Sequence, residues 1–161
     1  MNRTRTITWD DPLITAGKAQ TMRGLDFLQA MINGEIPAPP IAHLLGMALV
    51  EVAHGRAVFT ITPAEFMYNP IGVVHGGIAM TMLDSATGCA VQTTLDAGVG
   101  YTTVDGHTNL IRPITVETPL LRAEAEVIHV GRRVATAQAR LVDVNGKLYA
   151  HCISTCAILT P

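Results

Sequence analysis

The chain has 161 residues, 48% hydrophobic and 15% charged, with a formal net charge of −2. That length suits one domain with a sizeable core, and the charge gives no support to nucleic-acid binding, which needs a basic surface. No run of eighteen apolar residues predicts a membrane span, and Cys89, Cys152 and Cys156 match neither zinc-ligand nor disulfide spacing, which fits reduced, mostly buried thiols in the cytoplasm.

The first residues, MNRTRTITWDDPLIT, carry two arginines and lack the apolar core of a secretory signal. Met22, Leu25, Phe27, Leu28, Met31 and Ile32 fall at helical spacing and predict a helix over residues 19–32, ended by Gly34. Pro37 to Pro40 reads as an extended connector, so residues 1–37 form a helical extension and 38–161 the main domain. A short helix is expected over 41–45. MALVEVAHGRAVFTIT then reads as a hairpin turning near His54-Gly55.

A loop rich in Pro and Gly, residues 69–72, leads to a helix expected over residues 76–92. Ile78, Ala79, Met82, Leu83, Ala86, Cys89 and Ala90 cover nearly its whole circumference, the pattern of a helix enclosed on all sides. Strand signals dominate the rest. Residues 101–111 form one run, and residues 120–130 alternate, with Leu121, Ala123, Ala125 and Val127 opposite Arg122, Glu124 and Glu126. Residues 133–142 place Ala135, Ala137, Ala139 and Leu141 on one face. Asn145-Gly146 is a two-residue hairpin turn before the last strand, 148–159. A single enclosed helix among antiparallel strands needs a sheet that curls around it. The fold class is therefore α+β: a hotdog fold, in which a curved antiparallel sheet wraps one long central helix, with an extra N-terminal helix. Uncovered helix and sheet edges predict at least a dimer.

Chemistry concentrates at the central helix. Between Phe66 and Leu95 the only formal charge is Asp84, over two turns into the helix and too far along to cap it. An unpaired buried carboxylate is costly, so Asp84 is an ordinary surface Asp on an exposed helix stripe, a structural hydrogen-bonding group or a reactive carboxylate lining a site. His75-Gly76-Gly77 opens the helix, where the first N–H groups lack internal partners and carry partial positive charge. They can hold a developing oxyanion, or the glycines merely permit a tight turn. The remaining histidines have no metal-ligand spacing with one another.

The pattern Asn69-x-x-Gly72-x-x-His75-Gly76-Gly77, followed by Leu83-Asp84 and Gly88, resembles the signature of hotdog thioesterases of the phenylacetate-degradation (PaaI-like) type. Residues 40–46 (PIAHLLG), Thr102 to Asp105 with Arg112-Pro113, Gly131-Arg132-Arg133 and Asn145 to Leu148 extend the likeness over residues 38–159. Gly106 departs from it, standing where the family commonly carries a larger apolar residue, which bears on acyl-group preference. The resemblance implies hydrolysis of an acyl-CoA thioester to an acid and coenzyme A, in a site shared across a homodimer that assembles into a tetramer. It implies that the Gly76 N–H polarises the thioester carbonyl, with Gly77 beside it, and that Asn69 and His75 flank the carbonyl or the attacking water. Asp84 of the partner acts as base or nucleophile, and Thr103 steadies Asp84 or the water.

No metal or separate cofactor is implied, since coenzyme A belongs to the substrate and thiolate leaves readily. Arg112, Arg132 and Arg133 are either solvated charges or guanidinium partners for the coenzyme A phosphates. His75 is either catalytic or a structural loop holder. Two other hotdog functions compete. A non-catalytic acyl-CoA sensor would need a nucleic-acid-binding segment, and the first forty residues hold four basic and four acidic side chains. A hydratase or dehydratase would carry an Asp and a His in one short loop, and the loop before His75 has Asn69 but no Asp.

Overall fold

The computed structural model describes residues 2–160. In chain order it comprises α1 (Pro12–Ala19), α2 (Gly24–Ile32), α3 (Pro40–Leu45), β1 (Met47–Ala53), β2 (Arg56–Ile61), a 3₁₀ turn (Glu65–Met67), α4 (Gly76–Gln92), β3 (Gly100–Leu110), β4 (Leu121–Val130), β5 (Val134–Asp143) and β6 (Leu148–Leu159). The six strands form one antiparallel sheet in the order β1-β2-β4-β5-β6-β3, curled around α4. This is the hotdog architecture expected from the sequence.

The alternation in β4 and β5 decides which face holds the helix. Leu121, Ala123, Ala125, Ala135, Ala137, Ala139 and Leu141 are all buried on the concave side, and Met82, Leu83 and Ala86 of α4 meet that side with no exposure. Small strand residues let the helix sit close, so its apolar surface is removed from water on both flanks of the contact.

The N-terminal extension differs from the expected single helix over 19–32. Asp11 caps a separate α1 by accepting from the Leu13 N–H at 2.9 Å, with Pro12 in the first turn where its missing N–H costs nothing. The chain turns at Arg23, whose backbone is extended, and Gly24 N–H donates to the Leu95 carbonyl at 3.0 Å just past the end of α4. That docking requires a break before Gly24. Phe27 and Leu28 of α2 then pack with Leu49 and Val52 of β1 and Cys89 of α4, whereas α1 buries none of its residues. Among the described residues no helix is long and apolar enough to cross a membrane.

Candidate active site

The loop before α4 is organised by Asn69. Its side-chain Oδ1 accepts from the N–H groups of Ile71 (3.1 Å) and Val73 (3.3 Å), and its own N–H donates to the Val73 carbonyl at 2.9 Å. An asparagine that folds its side chain back on the backbone is a turn former, and here it fixes the approach to His75. The chain is pinned further by Val74 N–H to the Ile114 carbonyl (2.8 Å) and His75 N–H to the Met67 carbonyl (2.9 Å).

His75 is the N-cap of α4. Its Nδ1 accepts from the Gly77 N–H at 2.9 Å. A neutral imidazole that accepts at Nδ1 carries its proton on Nε2, so this contact sets the tautomer and orients the ring. The contact separates the two glycines: the Gly77 N–H is taken by His75, while the Gly76 N–H has no acceptor among the described residues. Gly76 also sets how closely β3 approaches. A Cβ at this position would lie 2.5 Å from Leu110 Cδ1, so its absence lets the end of β3 rest on the first turn of the helix.

Asp84 is not enclosed within the single chain. The concave sheet covers α4 on most sides but leaves a stripe of Gly76, Met80 and Asp84, with Thr81 and Ser85 partly open beside it; Met80 is 46% exposed and Asp84 is exposed. The expectation of a helix surrounded on all sides fails for this stripe, because the sheet ends at β3 and, among the described residues, no strand pairs beyond it. The Asp84 carboxylate has no hydrogen-bond partner or ion pair among the described residues. Eight residues at 1.5 Å each set Asp84 and Gly76 roughly 12 Å apart along the helix axis, too far for one reacting group to touch both.

Thr103 lies on the helix side of β3. It pairs with Cys156 of β6, and its Oγ1 is 3.9 Å from the Cys156 Sγ. The nearby thiols are poor nucleophiles. Burial pushes Cys89 up to about 12, and the negative charge of Asp84 adds to the effect. Burial also raises Cys152 and Cys156, again with Asp84 contributing. Burial likewise holds the Tyr101 phenol well above its usual range, so it stays neutral. Tyr101 was not foreseen as part of this region. A Cβ at Gly88 would come within 2.8 Å of its hydroxyl oxygen, so Gly88 is the seat on which that ring packs. The readable signal is the period-two run Cys152, Ser154, Cys156, which places small buried residues on the helix side of β6 facing β3.

The arginines do not converge. Arg112 follows β3 at the Gly76 end of the helix, and its guanidinium donates to the Leu148 carbonyl. Arg132 and Arg133 occupy the turn between β4 and β5, beside the start of β3, since Arg133 O accepts from Ile158 N–H and Ile158 pairs with Tyr101. About a strand's length separates the two positions, roughly 30 Å at 3.3 Å per residue, so one chain cannot bring all three to one ligand. A groove of about 440 Å³ lined by Arg56, Glu124, Glu126, Gln138, Arg140 and His151 lies on the outer face, with the sheet between it and Asp84. Among the described residues no group of three or more His, Cys, Asp or Glu side chains is placed to hold a metal ion.

Fold and site define a hotdog protein with a capped helix start and an open carboxylate on the same helix. The chain belongs to the thioesterase superfamily, whose pattern matches residues 71–150, and is by that membership a thioester hydrolase. It is 31% identical to an esterase-family protein of Saccharolobus solfataricus over 76% of this chain and 85% of that one. It is 25% identical to the 1,4-dihydroxy-2-naphthoyl-CoA hydrolase of Listeria monocytogenes over 71% of this chain and 89% of the other. The crystal structure of a phenylacetic acid degradation-related thioesterase of Ralstonia eutropha JMP134 superposes with a TM-score of 0.72 at 31% identity, covering 81% of this chain and 98% of that one.

Proposed function

We propose that the protein hydrolyses an acyl- or aryl-CoA thioester, with Asp84 of one copy acting against the helix start of a second. The observation that carries this reading is the placement of Gly76 and Asp84 on one open stripe of α4, separated by about two turns. A second copy packed antiparallel on that stripe sets each Asp84 against the partner's Gly76, and the midpoint between the two, Met80, meets its own counterpart near the two-fold axis. Such an isologous contact covers the stripe and the free edge of β3 together. The proposal extends to a tetramer of two such dimers acting in the cytoplasm, without metal or separate cofactor.

In this arrangement the Gly76 N–H and the positive end of α4 stabilise the oxyanion that forms as the thioester carbonyl is attacked. The Asp84 carboxylate either removes a proton from the attacking water or itself attacks the carbonyl. The carbon–sulfur bond then breaks, coenzyme A leaves as the thiolate, and the acyl group departs as the carboxylic acid. His75 serves as the cap that keeps the helix start in place, Asn69 shapes the loop beneath it, and Thr103, on the helix side of β3, steadies Asp84 or the water. Arg112 of one copy, or Arg132 and Arg133, meets the coenzyme A phosphates at the rim. The naming of one relative as a naphthoyl-CoA hydrolase favours an aryl acyl group.

The test is a panel of acyl-CoAs assayed with a thiol-trapping dye. Free thiol release by the protein, abolished in Asp84→Asn, supports the reading; no release from any member sinks it. The paired arrangement is tested separately by Met80→Cys, which is expected to give a disulfide-linked dimer on oxidation, whereas Val144→Cys, more exposed but remote from the stripe, gives none.

A further inference from the structure

The irregular chain before α1 precedes the stretch that matches the family, residues 71–150, yet it meets the turn that anchors the start of α4. α3 is short, and its last carbonyls have no partner inside the helix. The Gly46 N–H takes one of them, on Ala42, at 2.8 Å. Arg5 takes the next two: its guanidinium donates to the Leu44 carbonyl and, at 3.1 Å, to that of His43. A cation is favourable at a helix C-terminus. The guanidinium carbon also lies 3.8 Å from the centroid of the Phe66 ring, within reach of a cation–π contact. Phe66 belongs to the 3₁₀ turn Glu65–Met67, and Arg3 pairs with Glu65 of the same turn. From this turn a line of bonds runs to the helix start. The Met67 carbonyl accepts from the His75 N–H at 2.9 Å, and the His75 ring caps α4 by accepting from the Gly77 N–H.

We propose that Arg5 is a positioning residue for the start of α4: it fixes the 3₁₀ turn against the end of α3, and the turn fixes His75 and with it the Gly76 N–H. The inference rests on the thioesterase reading for the role of that N–H in stabilising the oxyanion. Met67 is 5% exposed and anchors the inner side of the turn, whereas Glu65 and Phe66 face outward, and the N-terminal arm is what meets them. Arg3 and Glu65 are both exposed, and such an ion pair contributes little by itself. The fork of Arg5 and its ring contact therefore carry the clamp. A lysine is a point charge, whereas a planar guanidinium can divide its donors between two adjacent carbonyls and still lay a flat face on a ring. A group misplaced by about 1 Å costs up to about 100-fold in rate, so a small slip of this turn is legible in kcat.

Wild type, Arg5→Ala, Arg5→Lys, Phe66→Leu, Phe66→Tyr and the double variant Arg5→Ala/Phe66→Leu are compared in the full-length protein, with Leu13→Ala on the exposed helix α1 as a control. The acyl-CoA panel gives kcat and KM, and amide hydrogen exchange follows the His75 N–H. In Arg5→Ala kcat is expected to fall by about 3–30-fold, inside the limit for a misplaced group, with KM held within about twofold. His75 exchange rises alongside, while exchange in β5 and the rates of Leu13→Ala stay at the wild-type level. Phe66→Tyr keeps the ring face and retains activity, Phe66→Leu matches Arg5→Ala, and the double variant is no worse than either, since the two residues share one contact. Arg5→Lys stays closer to Arg5→Ala than to wild type; its full recovery would make charge alone sufficient and overturns the inference. Undiminished kcat in Arg5→Ala, a rise in KM alone, or additive losses overturn it too. So does exchange that quickens equally in β5, because that marks general loosening. Wild type inactive on every acyl-CoA sinks the hydrolase reading instead, and His75 exchange in Arg5→Ala still decides whether the arm holds the helix start.

Discussion

β5 and β3 lie in the same sheet, on opposite sides of β6 and one strand apart, and have opposite fates. In β5 every second residue is buried, with Ala135, Ala137 and Ala139 at no more than 2% exposure. Along β3 nine of eleven residues are exposed, and its outer edge has no partner strand among the described residues. The same contrast runs around α4, where Met82 and Leu83 are sealed and Met80 and Asp84, within two residues of them in sequence, are open. Strand and helix are thus complete on the side facing the sheet and incomplete along one shared seam, on which the proposed site lies.

The comparison breaks or sharpens under substitution. Asp84→Asn, on the open side, is expected to lower kcat/KM by roughly 10²–10⁴-fold, the range for a positioned proton-transfer group, with melting temperature and oligomeric state unchanged. Leu83→Ala, one residue away on the sealed side, should do the reverse: a stability loss of about 2–5 kcal/mol from the cavity it leaves, read by urea unfolding, with activity per folded molecule retained. Equal stability losses for both would erase the distinction between the two sides. His75→Ala should cost about 0.5–2 kcal/mol for the lost helix cap. His75→Ser restores a capping oxygen and should recover that stability; recovery of activity along with it assigns His75 to positioning, and failure to recover activity assigns it to the chemistry.

The smallest effect concerns the thiols. Because the folded value of Cys89 is raised from 9.0 to about 12, the neutral thiol is the form the fold holds. The corresponding stability is complete below pH 9 and is lost as pH rises from there towards 12, since only the unfolded chain ionises early in that window. Unfolding midpoints at pH 8 and pH 10.5 should differ by more in wild type than in Cys89→Ala. At pH 8 all three cysteines should resist a thiol reagent until the protein is unfolded.

Much of this was legible in the chain. The period of two in residues 120–130 and 133–142 fixed both the strands and the face they bury, and α4 runs from Gly76 to Gln92 as its apolar run and flanking signals indicate. Asp84 stood out as a solitary charge in thirty residues. What stayed hidden involved partners far apart in sequence. The break between α1 and α2 depends on Gly24 meeting Leu95, and the separate fate of the two glycine N–H groups depends on which way the His75 ring turns. The likeness of Arg112, Arg132 and Arg133 as candidate anion binders concealed that they lie at opposite ends of the sheet.

The sequence alone determined the element types, the single central helix and the curled sheet, because periodicity and turn chemistry are local properties that need no knowledge of distant neighbours. Only the tertiary structure decided which stripe of that helix stays open, that the Gly76 N–H is left without an acceptor while the Gly77 N–H is not, and that Gly106 faces empty space. Those outcomes depend on where β3 and β6 stop relative to α4, and that placement is set by packing among residues far apart in sequence.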